Sequence, residues 1–181
     1  YTLSLHDALP ISISYTYLHS RKDIANVRLS VNAIVVGETG TGKTVLAEIM
    51  RDYFYQYKII EKPKLTMVDA VDYNRFVDKW DDNIKKARNG ILFFDNVQKL
   101  LPDKYSNQVN PLDKLFVEMD KWNDNPIVVI AGLPKGLDDF LESNPAVKNR
   151  FKYLFRLSTP VYQELCGITK LELRKKYGIT Q

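Results

Sequence analysis

Between residues 37 and 44 the chain reads GETGTGKT, with a β-prone stretch before it and a helix-patterned one after it. Few segments of this length constrain a fold so tightly. Glycines at 37, 40 and 42 let successive backbone amides curl around an anion with no Cβ in the way. A helix opening at Lys43 adds the positive end of its dipole. The pattern G-x-x-x-x-G-K-[ST], set between strand and helix, is the Walker A cradle for a nucleoside triphosphate. Its members here are Gly37, Glu38, Thr39, Gly40, Thr41, Gly42, Lys43 and Thr44. Lys43 is expected to reach the β- and γ-phosphates and Thr44 to give its hydroxyl to Mg²⁺. The dinucleotide fingerprint lacks this Lys-Thr pair and is a different motif.

The rest of the chain alternates between the two periods. A strand is expected from Val27 into Gly37, then a helix whose apolar face carries Leu46, Ile49, Met50, Tyr53, Phe54 and Tyr57. KLTMVDA reads as a second strand. A helix over 71–88 follows, with Phe76, Trp80, Ile84 and Ala87 at helical spacing, and Asn89-Gly90 ends it. ILFFD is a third strand, LDKLFVEMDKW a helix with Leu112, Leu115, Phe116, Met119 and Trp122 as its stripe, and IVVIAG a fourth strand. LDDFLES makes a short helix and KYLFRL a fifth strand. The fold class this predicts is α/β: a five-stranded parallel sheet with helices on both faces.

Asp95 complements the cradle. It ends a buried strand, taken to lie beside the first, where a carboxylate holds magnesium near the phosphates, as in the Walker B element. Together with Thr44 it forms the expected metal site.

The bulk numbers fit one ordinary domain: 181 residues, 45% hydrophobic and 27% charged. One cysteine, Cys166, leaves no intrachain disulfide and points to a reducing, cytoplasmic setting. No apolar run nears the ~20 residues needed to span a bilayer, so no membrane is expected. Residues 1–11, YTLSLHDALPI, resemble a translated sequencing adaptor; the rival reading is a genuine, poorly patterned arm. Without Asp7 the formal charge of +4 becomes +5. Its carriers are scattered in short runs, whereas nucleic-acid binding needs a clustered patch.

From the strand before Gly37 to about residue 165 the chain resembles the AAA+ ATPases, and most of all the group of red-type rubisco activases and a sporulation-stage ATPase. The likeness rests on GILFFDNVQKLL, on IVVIAGLPKGLDDFLESNPAVKNRF and on TPVYQEL, which opens the helical lid in that group. The expected organisation is 12–26 as a linker or partial N-terminal segment, 27–158 as nucleotide-binding core and 159–181 as the start of an incomplete lid. The absence of a guanine-reading [NT]KxD motif favours ATP over GTP. The resemblance further implies a homo-oligomer, a hexameric ring, with Arg150 of KNRF reaching a neighbour's ATP as an arginine finger and Lys148 as the lesser candidate. Phe76 stands where a pore-loop aromatic belongs in such rings, although its helical spacing speaks for burial instead.

Two positions depart from the hydrolytic pattern. The lesser is Gly132-Leu133, which ends the fourth strand with no polar side chain where many AAA+ proteins place a sensor Asn or Thr, although the related group also has AGY there. Where the family carries a catalytic Glu the chain has Asn96. An amide holds a water but takes no proton from it, and losing a general base costs ~10²- to 10⁴-fold. Asp103 is a nearby carboxylate that could substitute. Three functions follow: an ATPase remodelling a protein client with weakened hydrolysis, an ATP-gated subunit that does not turn over, and a DNA-associated helicase-loader or transposition-helper ATPase, the last permitted by the charge but not favoured.

Overall fold

The computed structural model describes residues 31–72, 78, 80–100, 111–122, 125–143 and 145–159. Five strands follow one another as β1 (Ala33–Gly37), β2 (Leu65–Asp69), β3 (Ile91–Asp95), β4 (Ile127–Gly132) and β5 (Tyr153–Leu157). They form one parallel sheet in the order β2-β3-β4-β1-β5. Among the described residues five helices accompany them: α1 (Lys43–Gln56), α2 (Trp80–Ala87), α3 (Pro111–Lys121), α4 (Pro134–Ser143) and α5 (Pro145–Arg150). Among the described residues no helix is long and apolar enough to cross a membrane.

The near-continuous apolar runs of β1, β3 and β4 arise because the sheet is covered twice. Their alternate side chains feed two separate cores. Val35, Phe93, Val129 and Ala131 face α1 and meet Ala47, Met50 and Phe54. Ile34, Val36, Leu92, Phe94, Val128 and Ile130 face the other way and pack with residues of α2, α3, α4 and α5. β2 and β5 are the sheet edges, and each leaves a large apolar side chain exposed, Met67 and Leu154.

Four expectations are corrected. β1 begins at Ala33, and what precedes Val31 lies outside the described residues. Asn32 is buried and its Oδ1 accepts a hydrogen bond from the Val128 amide at 2.7 Å, so a side chain replaces the ladder there. On α1, Ile49 and Tyr57 are exposed, while Ala47 is buried. The buried stripe runs 47, 50, 54, and residue 49 is turned about 200° from residue 47 at ~100° per residue. The helix expected over 71–88 is, in the described part, a tight turn at Ala70–Asp72 and then α2. Asp69 Oδ1 accepts from the Val71 amide at 2.8 Å, a local bond that competes with helix formation. Finally, β3 is not beside β1, because β4 lies between them.

The stripe predicted for α3 is buried as expected at Leu112, Leu115, Phe116 and Met119, with Trp122 partly so. The helical part of α4 effectively begins after Gly136, whose φ of 87° only glycine adopts cheaply, and so matches LDDFLES.

Candidate nucleotide-binding site

The strands run parallel, so their C-terminal ends share one edge, and the loop after β1 opens there. Gly37 closes the strand against β5: a Cβ on it would lie 2.5 Å from Thr41 Oγ1 and 3.1 Å from Leu157 Cβ. Gly40 and Gly42 hold φ of 83° and 89°, in the left-handed region. Gly42 is the first acceptor of α1, taking the Leu46 amide at 2.9 Å. No side chain caps this helix and its first turn carries no acidic residue. Its leading amides therefore stay open to an anion. Among the described residues no acceptor meets the amides of Gly40 and Gly42.

Two side chains hold the loop in shape. Thr41 Oγ1 donates to the Glu38 carbonyl at 2.8 Å. Lys43 Nζ folds over the mouth and donates to the carbonyls of Gly37 and Glu38, both at 2.9 Å. The ammonium thus sits among the atoms that would surround a phosphate. Thr44 follows in the first helical turn, half-buried.

Asp95 ends β3 on the same edge, half-buried, and its Oδ1 accepts from the Asn96 amide at 2.8 Å. The end of β4 fills the gap between β3 and the cradle. Gln98, just after β3, accepts from the Leu133 amide at 3.2 Å and ties the two strand ends together. Among the described residues no group of three His, Cys, Asp or Glu side chains could by itself hold a metal. Magnesium takes one or two protein oxygens and completes its shell with phosphate and water, and Thr44 and Asp95 are the residues that could supply them.

Asn96 has φ of 57°, a conformation asparagine tolerates better than most residues. Its Nδ2 donates to Asp69 Oδ2 at 2.6 Å. Asp69 is the register partner of Asp95 across β2 and β3. The Val71 amide, with help from Asn96 and the charge of Lys99, holds the Asp69 carboxyl below the usual carboxylate range against the opposing effect of burial. Sequence reasoning passed over Asp69, yet LTMVD ends in a carboxylate just as ILFFD does.

Arg150 lies elsewhere. It ends α5, ahead of β5, and β5 is paired so that Tyr153 meets Ala33 and Leu157 meets Gly37. Arg150 therefore sits at the opposite edge of the sheet from its own cradle, a strand of 5 residues away, about 17 Å at ~3.3 Å per residue. Its guanidinium forks onto Asp120, Nε at 3.0 Å and Nη2 at 2.7 Å. The hydrogen bond holds the Asp120 carboxyl low and raises the arginine further. Phe76 and Asp103 lie outside the described residues, as does the side chain of Lys148.

Comparison with known proteins is consistent across the same span. The family model described as "ATPase family associated with various cellular activities (AAA)" matches residues 33–157. The chain is 28% identical over 152 residues to the ESX-1 secretion system protein EccA1 of Mycolicibacterium smegmatis, covering 78% of this chain and 26% of that protein. It is 29% identical to the CfxQ homolog of Trieres chinensis, covering 80% of this chain and 52% of the other. Against the stage V sporulation protein K of Bacillus subtilis the identity is also 29%, over 80% of this chain and 47% of the other. The matched region thus spans from a quarter to a half of these relatives.

Proposed function

Since the chain belongs to the AAA family of ATPases, we propose that it binds ATP with magnesium in the loop Gly37–Thr44, hydrolyses it slowly, and works as a subunit of a homo-oligomer that remodels a protein client. The observation that carries this reading is the open row of amides at Gly40, Gly42 and the start of α1, overhung by Lys43. On binding, Lys43 would exchange its two carbonyl partners for phosphate oxygens. Thr44 and Asp95 would hold Mg²⁺, which neutralises charge on the phosphates.

Slow turnover follows from Asn96. Its amide orients a water without removing the proton, so the missing base raises the barrier by roughly 3 to 5 kcal/mol at 1.36 kcal/mol per decade. An oligomer is supported by Arg150, which stands too far from its own cradle to serve it, and which a neighbouring subunit's ATP would engage. A planar cation there is worth ~10³ to 10⁵ in rate where such fingers have been measured. The scatter of basic residues in short runs, without a clustered patch, favours a protein client over DNA.

The test is direct. Titration with a fluorescent ATP analogue and magnesium should show saturable binding that Lys43→Ala removes, together with phosphate release below the ordinary 1 to 10³ s⁻¹ range of enzymes. Equal binding by the parent and the Lys43→Ala chain would remove the reading.

A further inference from the structure

Past the end of β3 the chain makes one tight turn, Val97–Leu100, which carries Gln98 half-buried. Gln98 Oε1 accepts from the Leu133 amide at 3.2 Å. A backbone N–H only donates, so the side-chain atom at this contact is the oxygen. A Cβ built on Gly132 would lie 2.8 Å from that same oxygen. The Gln98 amide thus fills the space that a side chain at residue 132 would need. Its nitrogen shares a carbon with the oxygen and lies about 2.2 Å from it on standard amide bond lengths. Among the described residues nothing accepts from that nitrogen, which leaves two N–H donors open. Gly132 is the register partner of Val36, the residue before the cradle. On the other side β4 pairs with β3, Phe94 against Ile130, so Asp95 falls level with Ala131. Neighbouring strands lie about 4.8 Å apart. The open donors therefore stand between the phosphate loop and the Asp95 carboxylate.

We propose that Gln98 is a binding residue for the terminal phosphoryl group of the nucleotide: its side-chain N–H₂ donates to a γ-phosphate oxygen and so makes the site favour ATP over ADP. This rests on the ATP reading above and adds to it a determinant of specificity. The loop amides serve a β-phosphate that ATP and ADP share. A donor at the end of β4 serves the group that ADP lacks, because magnesium bridges β- and γ-oxygens and Asp95 lies beyond β4 from the loop. A hydrogen bond to an ionised oxygen is roughly twice as strong as one between neutral groups. Gly132 belongs to the same device: without a Cβ it leaves the room in which the Gln98 amide sits.

The experiment titrates the full chain, with magnesium, against ADP and against an ATP analogue whose β,γ-bridge is an imido group, so that turnover plays no part. Two variants remove the donor by different routes. Gln98→Leu deletes the amide. Gly132→Ala keeps it but sets a Cβ 2.8 Å from its oxygen, and the amide, as the far end of a flexible side chain, gives way. Each should weaken the ATP analogue about tenfold or more, the worth of a hydrogen bond to a charged group, and change ADP by less than about threefold. The double variant should lose no more than Gln98→Leu, because the added Cβ then has no amide to displace. A residue that only braced the end of β4 through Leu133 would weaken both nucleotides by the same factor. That result, or an unchanged affinity of Gln98→Leu for the analogue, overturns the proposal. An unaltered chain that binds neither nucleotide overturns the ATP reading and this role with it, and that shows before any variant is made.

Discussion

Gly40 offers a clean test of whether backbone conformation builds the cradle. Its φ is 83°, and a Cβ built on it meets nothing within 4 Å. Gly40→Ala therefore adds left-handed strain and no clash. For a residue other than glycine that strain is roughly 1–2 kcal/mol. The loop around it is exposed, so the free chain can relax and its unfolding midpoint should barely move. Binding, however, requires the strained shape, and the cost appears in affinity: at ~1.4 kcal/mol per tenfold, about 5- to 30-fold weaker ATP. Asparagine visits the left-handed region more readily than alanine. Gly40→Asn should consequently lose less affinity than Gly40→Ala, although its side chain is larger. Isothermal titration of ATP with magnesium into the three proteins measures this order. Unchanged affinity in Gly40→Ala, or a greater loss in Gly40→Asn, would refute strain as the cause.

Arg150 and Lys43 should complement each other between subunits: Arg150→Ala and Lys43→Ala chains, each lacking phosphate release, should regain part of it when mixed, while either alone stays inactive. Because the Arg150–Asp120 pair is exposed, with side chains 30% and 58% accessible, Arg150→Ala should cost no more than about 1 kcal/mol in urea denaturation. Asn32→Ala strands the buried amide of Val128 and should cost about 1–3 kcal/mol, read from the same denaturation curves.

The central strands were legible because burial on both faces leaves a run of apolar residues with no polar alternation, as in ILFF and IVVIA, and the α3 stripe because helical spacing marks it. The α1 stripe was legible only in part. Ile49 is apolar, so composition places it inside, but the sheet covers just the arc through Ala47, Met50 and Phe54. The turn at Ala70–Asp72 was hidden for a different reason. Helical spacing runs on through it, while the bond from the Val71 amide to Asp69 redirects the chain.

The candidate site divides the same way. GETGTGKT is contiguous, and local rules alone determine its loop: where glycine is needed, where the helix starts, and which side chains point at an anion. Asp95 could be recognised as a strand-end carboxylate, but its separation from β1 by β4 could not, since strand order arises from how crossovers pack and leaves no mark in any one segment. The same holds for Asp69 and Asn96, which are 27 residues apart and meet through pairing of β2 with β3. It holds again for Arg150, whose distance from its own cradle is a property of the sheet's direction. Sequence by itself determined the chemistry available to this protein, because that chemistry lies in short stretches of chain; only tertiary structure decided which groups share an edge, because long-range pairing sets distance.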